Sequence, residues 1–213
     1  MDSCAASGVE PSPRESRSAP RSDSRGPCGE ARDARDRGCF DLPPVRHDGT
    51  DRPSQRPRDP EEQAEYYRGK KKRHTLKTLF VIKETCHIFL LSHTCEGKAS
   101  AKSIAELEGY TFPPGSCLYQ DQGFQGLVLP GITIFQPKKK PRGGELPPPE
   151  QETNRRLSSI RIRIEHAIGG VKRDRIVKDT SRLVKDGIRD AVMETCGGLH
   201  NFRLQHRPWH YAS

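Results

Sequence analysis

Runs and periodic spacings of apolar residues begin after about residue 62 and predict alternating strands and helices. Glu61–Tyr67 has the composition of a short helix or turn. Leu76–Lys83 and His87–Ser92 indicate two strands, and the short link between them favours an antiparallel hairpin. Ser100–Leu107 begins with Ser and is followed by Gly109, which is typical of a capped helix. The globular part of the chain therefore opens with a helix or turn, a hairpin and a helix.

Two short strands and two long helices complete the pattern. The strands are predicted at Cys117–Gln120 and Ile132–Phe135, and a loop rich in Lys and Pro follows them. A helix over Glu150–Arg173 is predicted by apolar residues at spacings of three and four. These residues are Leu157, Ile160, Ile164, Ile168 and Val171. A last helix is predicted over Arg182–Cys196, and the pair Gly197-Gly198 is expected to end it. Strands and helices in this order indicate an α/β fold.

The two ends of the chain lack the apolar residues of a core. Residues 1–47 are rich in Ser, Pro, Arg, Gly and Asp, so we predict a disordered segment. A basic arm that touches DNA, or a segment foreign to the domain, are alternatives. Two prolines and charged residues in Leu42–His47 also predict a poor central strand. The polar tail 205–213, with its single Trp209, is expected to be loose.

Charge narrows the class of partner. The chain has 37 Lys and Arg against 28 Asp and Glu, a net charge of +9, which favours nucleic acid as a partner. A basic RNA-binding protein would account for the charge alone. The longest apolar run, Phe89–Leu91, is too short to span a membrane. Seven scattered cysteines without a Cys-x-x-Cys motif indicate reduced thiols and a cytoplasmic protein.

Three acidic residues are the candidates for chemistry: Asp48 in Asp-Gly-Thr, Asp121 in Gln-Asp-Gln-Gly-Phe, and Glu165 on the long helix. Carboxylates are the ligands that Mg²⁺ prefers, and paired divalent ions catalyse attack on phosphodiesters. At about 100° per residue, Arg161 and Lys172 share a helix face with Glu165. Arg161 is expected to orient Glu165, and Lys172 to hold a phosphate. An ordinary surface face of ion pairs is the alternative for this helix.

These motifs together resemble the DDE-type transposases of bacterial insertion sequences, a branch also described as DDE superfamily endonucleases. The similarity covers about residues 48 to 204. The segments that carry it are Asp48–Pro53, Tyr66–Thr75, Gln120–Gly126, Gln136–Pro141, Glu165–Lys172 and Gly198–Phe202. Because such proteins usually carry a helix-turn-helix region before the first Asp, the N-terminus is expected to be truncated or replaced.

The resemblance implies a ribonuclease H-like mixed sheet flanked by helices. It also implies a catalytic and metal-binding triad of Asp48, Asp121 and Glu165 that uses Mg²⁺ or Mn²⁺. The partners implied are the DNA ends of a transposon and a second copy of the chain, at the bacterial nucleoid. The basic residues expected to contact DNA are Lys70, Lys71, Lys72, Arg73, Lys138, Lys139, Lys140, Arg142, Arg161 and Lys172.

An inactive transposase remnant that binds DNA weakly shares almost all of these residues. The setting of Asp48 separates the two hypotheses. If the segment from Val45 to Thr50 pairs centrally in the sheet and places Asp48 near Asp121 and Glu165, the enzyme is favoured; if Asp48 lies on a loop, the remnant is.

Overall fold

The fold is known from a computed structural model that describes residues 44–209, apart from the side chain of residue 186. The strands are β1 Val45–Pro53, β2 Tyr67–Arg68, β3 Arg73–Ile82, β4 Ile88–Leu91, β5 Cys95–Glu96, β6 Cys117–Gln120 and β7 Thr133–Phe135. The helices are α1 Pro60–Tyr66, α2 Ala101–Glu108, α3 Pro148–Val171, α4 Arg175–Lys178 and α5 Asp186–His206.

The strands form one mixed sheet with β1 in the interior. β1 pairs antiparallel with β3 and parallel with β6, and β7 pairs parallel with β6. β2, β4 and β5 all pair antiparallel with β3. With helices packed on both faces of the sheet, this confirms the predicted α/β class and the ribonuclease H-like mixed sheet.

The strand that carries Asp48 differs from expectation. Residues 45–47 belong to β1, so an unstructured segment reaching residue 47 was wrong for these residues, and so was the poor central strand. Of the two prolines in Leu42–His47, Pro43 lies outside the described residues and Pro44 precedes the strand, so Pro44 does not interrupt the ladder of hydrogen bonds. Arg46 is buried but has partners, which explains how a charged sequence occupies the sheet interior. The rest of the predicted disordered segment lies outside the described residues.

The sheet is buried on both faces. Phe80 and Ile82 face a core formed with α3 and α5, whereas Leu79 and Val81 face a core formed with α2. This double burial explains why β3 is a continuous apolar run rather than an alternating one. Ile164 and Ile168 lie in the first core, which confirms the apolar stripe predicted for the long helix.

The predicted hairpin and capped helix are confirmed. β3 and β4 pair antiparallel across the turn 83–87. The Ser100 hydroxyl accepts a hydrogen bond from the Ser103 amide at the start of α2. Gly109 follows the helix with φ +58°, a left-handed conformation that glycine adopts without strain.

The last helix is longer than predicted and begins later. α5 starts at Asp186 and continues through Gly197-Gly198 to His206. A Cβ at Gly197 would lie 3.2 Å from the Leu91 side chain, so this glycine permits close packing on β4 instead of ending the helix. Further along α5, the Asn201 side chain bonds both backbone groups of Ile88, with distances of 2.9 and 2.7 Å.

The described part of the tail is packed rather than loose. Residues 205 and 206 belong to α5, and the Trp209 ring contacts the rings of His166 and His200. Trp209 also packs on the core beneath α3 and α5. The expected loose tail is therefore wrong for residues 205–209, and residues 210–213 lie outside the described part.

Cysteine chemistry is mixed in the structure. Cys86, Cys95 and Cys196 carry free thiols, whereas Cys117 is disulfide-bonded, so the expectation of reduced thiols was wrong at Cys117. Between residues 44 and 209, none of the helices has the length and apolarity needed to cross a membrane.

Candidate active site

Asp48 lies in the middle of the central strand, on the face covered by α3. Its Oδ1 accepts a hydrogen bond from the Gly49 amide at 2.7 Å. Arg46, two residues earlier on the same face, donates from Nε to the Ile160 carbonyl oxygen of α3 at 2.9 Å. The side chain of Asp48 is 20% exposed, so it is reachable from solvent at the boundary between sheet and helix.

Asp121 follows β6 directly and stands beside Asp48. The parallel register pairs His47 with Gln120, so Asp121 continues it opposite Asp48. Neighbouring strands lie about 4.8 Å apart, so the backbones of these two acidic residues are adjacent in the sheet. The Asp121 carbonyl oxygen accepts a hydrogen bond from Gln136 Nε2 at 2.6 Å, which ties this position to the segment after β7.

Helix α3 supplies Arg161 and Glu165. The guanidinium of Arg161 lies 3.7 Å from Asp48 Oδ2 and 3.1 Å from Asp121 Oδ1. Arg161 was expected to pair with Glu165 within the helix; it instead joins the two aspartates of neighbouring strands. Glu165, one turn further along α3, is exposed.

The carboxylates influence each other electrostatically. Burial raises the pKa of Asp48 to about 6, and the negative charges of Asp121 and Glu165 add to this effect. The Gly49 amide and the Arg161 guanidinium oppose it. Asp121 and Glu165 therefore both lie within electrostatic range of the half-buried Asp48, whose charged form is disfavoured mainly by its burial.

The three carboxylates are of the chemical type that binds a divalent metal ion, although their side chains are not gathered around one point. Within the described range, no three His, Cys, Asp or Glu side chains are close enough together to hold a metal. Asp48 and Asp121 nevertheless share a single cationic group, Arg161, and three carboxylates offer the hard oxygen ligands that Mg²⁺ and Mn²⁺ prefer. The donor chemistry therefore fits such an ion.

Lys172 lies beside this cluster at the end of α3. Burial lowers the pKa of its ammonium group, as do the charges of Lys71 and Arg52, while Asp51 and Asp48 raise it. Lys172 is thus within electrostatic range of Asp48 and of the basic turn that contains Lys71. This position suits a cation that meets a substrate phosphate near the carboxylates.

Comparison with known proteins gives the family of this fold and site. The sequence profile of the DDE superfamily endonucleases matches residues 47–201. The chain belongs to this family.

A curated relative agrees with the family. The chain is 30% identical over 160 residues to the "Probable transposase for insertion sequence element IS702" of Microchaete diplosiphon. The alignment covers 74% of this chain and 56% of the relative, so the chain spans about half the length of the protein that it matches. No solved structure matches the chain. Membership of the DDE family contradicts the hypothesis of an unrelated RNA-binding protein.

The first basic run of the chain lies on a tight turn that leads into β3. A 3-10 turn at Gly69–Lys71 and a left-handed Lys72, with φ +51°, lead into β3. Lys70, Lys71, Lys72 and Arg73 are all exposed. Lys71 lies within electrostatic range of Lys172, because its positive charge lowers the pKa of that lysine.

The second basic run follows the segment that holds Asp121. Lys138 is anchored to α3, since its ammonium group lies 2.7 Å from Glu150 and its amide donates to Asn154. Lys139, Lys140 and Arg142 are exposed beyond this anchor. Both predicted runs thus emerge beside elements that carry the acidic residues.

Sequence reasoning missed the supporting residues of this candidate site. Arg46 and Gln136 position α3 and Asp121, respectively, yet neither was predicted to have a structural role. The strand alternation that places Arg46 on the face of Asp48 is a signal that would have found it, but only after β1 was recognised as a strand.

Proposed function

We propose that this chain is the catalytic domain of an insertion-sequence transposase that cleaves and transfers DNA strands at transposon ends with Mg²⁺ or Mn²⁺. The domain comprises about residues 45 to 204. The observation that carries the proposal is the pair Asp48 and Asp121, which continue one parallel register on neighbouring strands and share one cationic partner.

In this proposal, Asp48, Asp121 and Glu165 are the ligands of the divalent ions. When bound, such ions neutralise charge on the attacking and leaving oxygens of a phosphodiester. Glu165 is exposed on α3, one turn from Arg161, so a change of its side-chain rotamer brings its carboxylate toward the aspartates. The raised pKa of Asp48 supports this assignment, because a carboxylate whose charged form is disfavoured by burial is stabilised by a bound cation.

The basic residues hold the DNA in this proposal. Lys172 and Arg161 meet the phosphate that is attacked, and the two basic runs contact phosphates on either side of it. A water first attacks the strand, and the 3′-hydroxyl that is released then attacks target DNA. Both steps need two ends held together, which a homodimer on DNA at the bacterial nucleoid provides.

The position of β1 meets the first of the two conditions that favour the enzyme over the inactive remnant, whereas among residues 44–209 the three carboxylates are not gathered closely enough to hold a metal. A remnant was expected to carry Asp48 on a loop, whereas β1 pairs on both sides and Asp48 faces α3. The buried Arg46 and the Gln136 bond to Asp121 support both aspartates, as a working site requires.

DNA cleavage tests the proposal. The substrate is a duplex that carries the terminal sequences flanking the chain's own gene, incubated with Mg²⁺, with Mn²⁺ or with EDTA. We expect metal-dependent strand cleavage by the wild type and a loss of at least about 1000-fold in Asp121→Ala. Glu152→Gln, an exposed carboxylate on α3 outside the site, is the matched control and keeps the activity. Absence of cleavage by the wild type, or equal cleavage by Asp121→Ala, contradicts the enzyme.

A further inference from the structure

Arg161 lies where a cation shared by Asp48 and Asp121 would be held. One terminal nitrogen of the guanidinium faces Asp48 at 3.7 Å, and the other faces Asp121 at 3.1 Å. Among residues 44–209, Arg161 is the only cationic residue within 4.0 Å of either carboxylate. Its side chain is 14% exposed, so the charge sits inside the site rather than at its rim.

We propose that Arg161 holds the place of the metal between Asp48 and Asp121 in the metal-free protein and is displaced when a divalent ion binds. This inference rests on the proposed metal-dependent function. The charge of Arg161 therefore competes with the metal before DNA arrives, and the guanidinium is free to pair with a DNA phosphate once the metal is bound.

The contacts of Arg161 are those of a group held loosely. At 3.7 Å, its approach to Asp48 is longer than a hydrogen bond, and neither carboxylate is gripped by two parallel bonds. Its Nε is buried and has no hydrogen-bond partner. Arg46 provides a contrast on the same helix interface, because its Nε donates to the Ile160 carbonyl oxygen at 2.9 Å. Arg161 thus provides charge at the cost of an unsatisfied donor, which lowers the free energy needed to move it.

A guanidinium and a divalent ion cannot both occupy this place. Mg²⁺ binds carboxylate oxygens at about 2.1 Å, and a positive group within reach of the same oxygens repels it. Binding of the ion therefore exchanges one cation for another. The displaced guanidinium stays at the edge of the site on its flexible side chain, where a DNA phosphate is the available counter-charge. DNA and metal then strengthen each other's binding, because the metal releases Arg161 to pair with a phosphate, and a phosphate that holds Arg161 removes it from competition with the metal.

Manganese binding without DNA tests the exchange directly. The full chain is titrated with Mn²⁺, and free Mn²⁺ is measured by electron paramagnetic resonance. We expect Arg161→Gln to bind Mn²⁺ about tenfold more tightly than the wild type, because the competing charge is gone. Arg161→Lys, which reaches only one carboxylate at a time, falls between them. Arg156→Gln removes the same charge from an exposed position of α3 and leaves Mn²⁺ binding unchanged.

A second measurement uses the linkage to DNA. A short duplex is expected to tighten Mn²⁺ binding by the wild type several-fold and by Arg161→Gln much less, since the variant has no guanidinium to remove. Circular dichroism shows whether each variant is folded, and Arg161→Lys keeps the test valid if the Gln variant is not.

The outcomes separate this inference from the function on which it rests. One outcome is that Asp121→Asn does not bind Mn²⁺ and that Arg161→Gln binds it no more tightly than the wild type does. Arg161 then supports the metal site, and the proposed exchange of Arg161 for the metal is wrong. If neither the wild type nor Arg161→Gln binds Mn²⁺ in a manner that depends on Asp121, the proposed metal site itself fails.

Discussion

Arg46 donates a hydrogen bond from Nε to the carbonyl oxygen of Ile160, and so joins the central strand to the helix that carries Arg161 and Glu165. Its side chain is buried, and its ion pair with Glu84 at 3.7 Å reaches the surface. Burial lowers the pKa of the Arg46 guanidinium, and its Nη1 has no hydrogen-bond partner. The contact therefore costs desolvation free energy of the Arg46 guanidinium, and in return it fixes the position of α3 against β1.

We predict that Arg46→Met separates stability from activity. A buried charge replaced by an apolar side chain of similar length often leaves stability unchanged, so the free energy of unfolding should shift by less than about 1 kcal/mol. Metal-dependent cleavage should fall by about tenfold or more, because α3 loses its register against β1. Urea unfolding and initial cleavage rates measure the two effects. Glu84→Gln, which changes only the exposed partner, should affect neither; a parallel loss of stability and activity in Arg46→Met would contradict a positioning role.

Asp48 should make the metal-free protein less stable at neutral pH. Its folded pKa of about 6 lies above the ordinary value of 3.8, so the folded state binds more protons between these two pH values. Stability from this group therefore falls as pH rises through that window. Asp48→Asn does not ionise, and we expect it to be about 1–2 kcal/mol more stable than the wild type at pH 7.5, with the difference shrinking toward pH 4.5.

Urea unfolding in EDTA at both pH values measures this effect of Asp48→Asn. Asp179→Asn, at an exposed position, controls for the loss of a carboxylate elsewhere. A variant that is less stable than the wild type at pH 7.5 would show that the bond to Gly49 and the ion pair with Arg161 outweigh the burial of the charge.

His47 has the opposite dependence on pH. It is fully buried against Phe124, its Nε2 lies 2.6 Å from the Tyr110 hydroxyl, and burial lowers its pKa from 6.5 to about 3. The unfolded chain therefore binds more protons between pH 3 and 6.5, and stability from this group is lost as pH falls through that window.

His47→Phe should remove that dependence. Between pH 6.5 and pH 5, the wild type should lose about 2 kcal/mol more of its unfolding free energy than the variant does. At neutral pH the variant should be less stable, because the Tyr110 hydroxyl loses its partner. His206→Gln, at an exposed position, should follow the wild-type curve. Equal slopes for wild type and His47→Phe would place the acid sensitivity elsewhere.

The two adjacent glycines of α5 should respond differently to alanine. A Cβ at Gly198 meets nothing within 4 Å, so Gly198→Ala should stabilise the protein by about 0.5–1 kcal/mol through helix propensity. At Gly197 the same change approaches Leu91 at 3.2 Å and should gain less, and Gly197→Val should destabilise. Thermal unfolding of the three variants gives the comparison. An equal gain in stability at both positions would mean that α5 packs less closely on β4 than the 3.2 Å approach to Leu91 implies.

The second basic run should contribute to DNA affinity through phosphate contacts. Removal of two contacts, by Lys139→Ala with Lys140→Ala, should reduce the slope of log affinity against log salt by about 1.8. Fluorescence anisotropy with a labelled duplex at several salt concentrations measures this slope. Lys98→Ala with Lys102→Ala removes equal charge near α2, on the other side of the sheet, and should leave the slope unchanged. A similar reduction in both double variants would indicate an effect of net charge only.

Local sequence signals predicted the elements that are stabilised by interactions between residues close together in the sequence. The hairpin of β3 and β4, the Ser100 cap and the stripe of α3 depend on apolar runs, on capping and on helical periodicity, all of which can be read from neighbouring residues. β1 was mispredicted because its stability comes from distant partners: Arg46 depends on Ile160, 114 residues away. Gly197 likewise resembles a helix end, and only Leu91 shows that it is a packing contact.

The candidate site likewise has features that the sequence predicted and features that it did not. Motifs predicted Asp48, Asp121 and Glu165 as candidates, because the residue types and their local contexts are distinctive. The pairing of Arg161 with two aspartates rather than with Glu165 depends on strand register and helix placement, which helix spacing alone does not contain. Side-chain partners that lie on different helices and strands can be predicted only once the fold is known.

The order of the site's parts along the chain has a consequence during synthesis. Asp48 leaves the ribosome first, Asp121 follows after most of the sheet, and Glu165 comes last on α3. β1 also requires β6 as a neighbour before Asp48 and Asp121 can meet. A nascent or prematurely terminated polypeptide that lacks α3 therefore has no complete set of these carboxylates. Under the proposed function, translation itself delays DNA cleavage until most of the domain has been made.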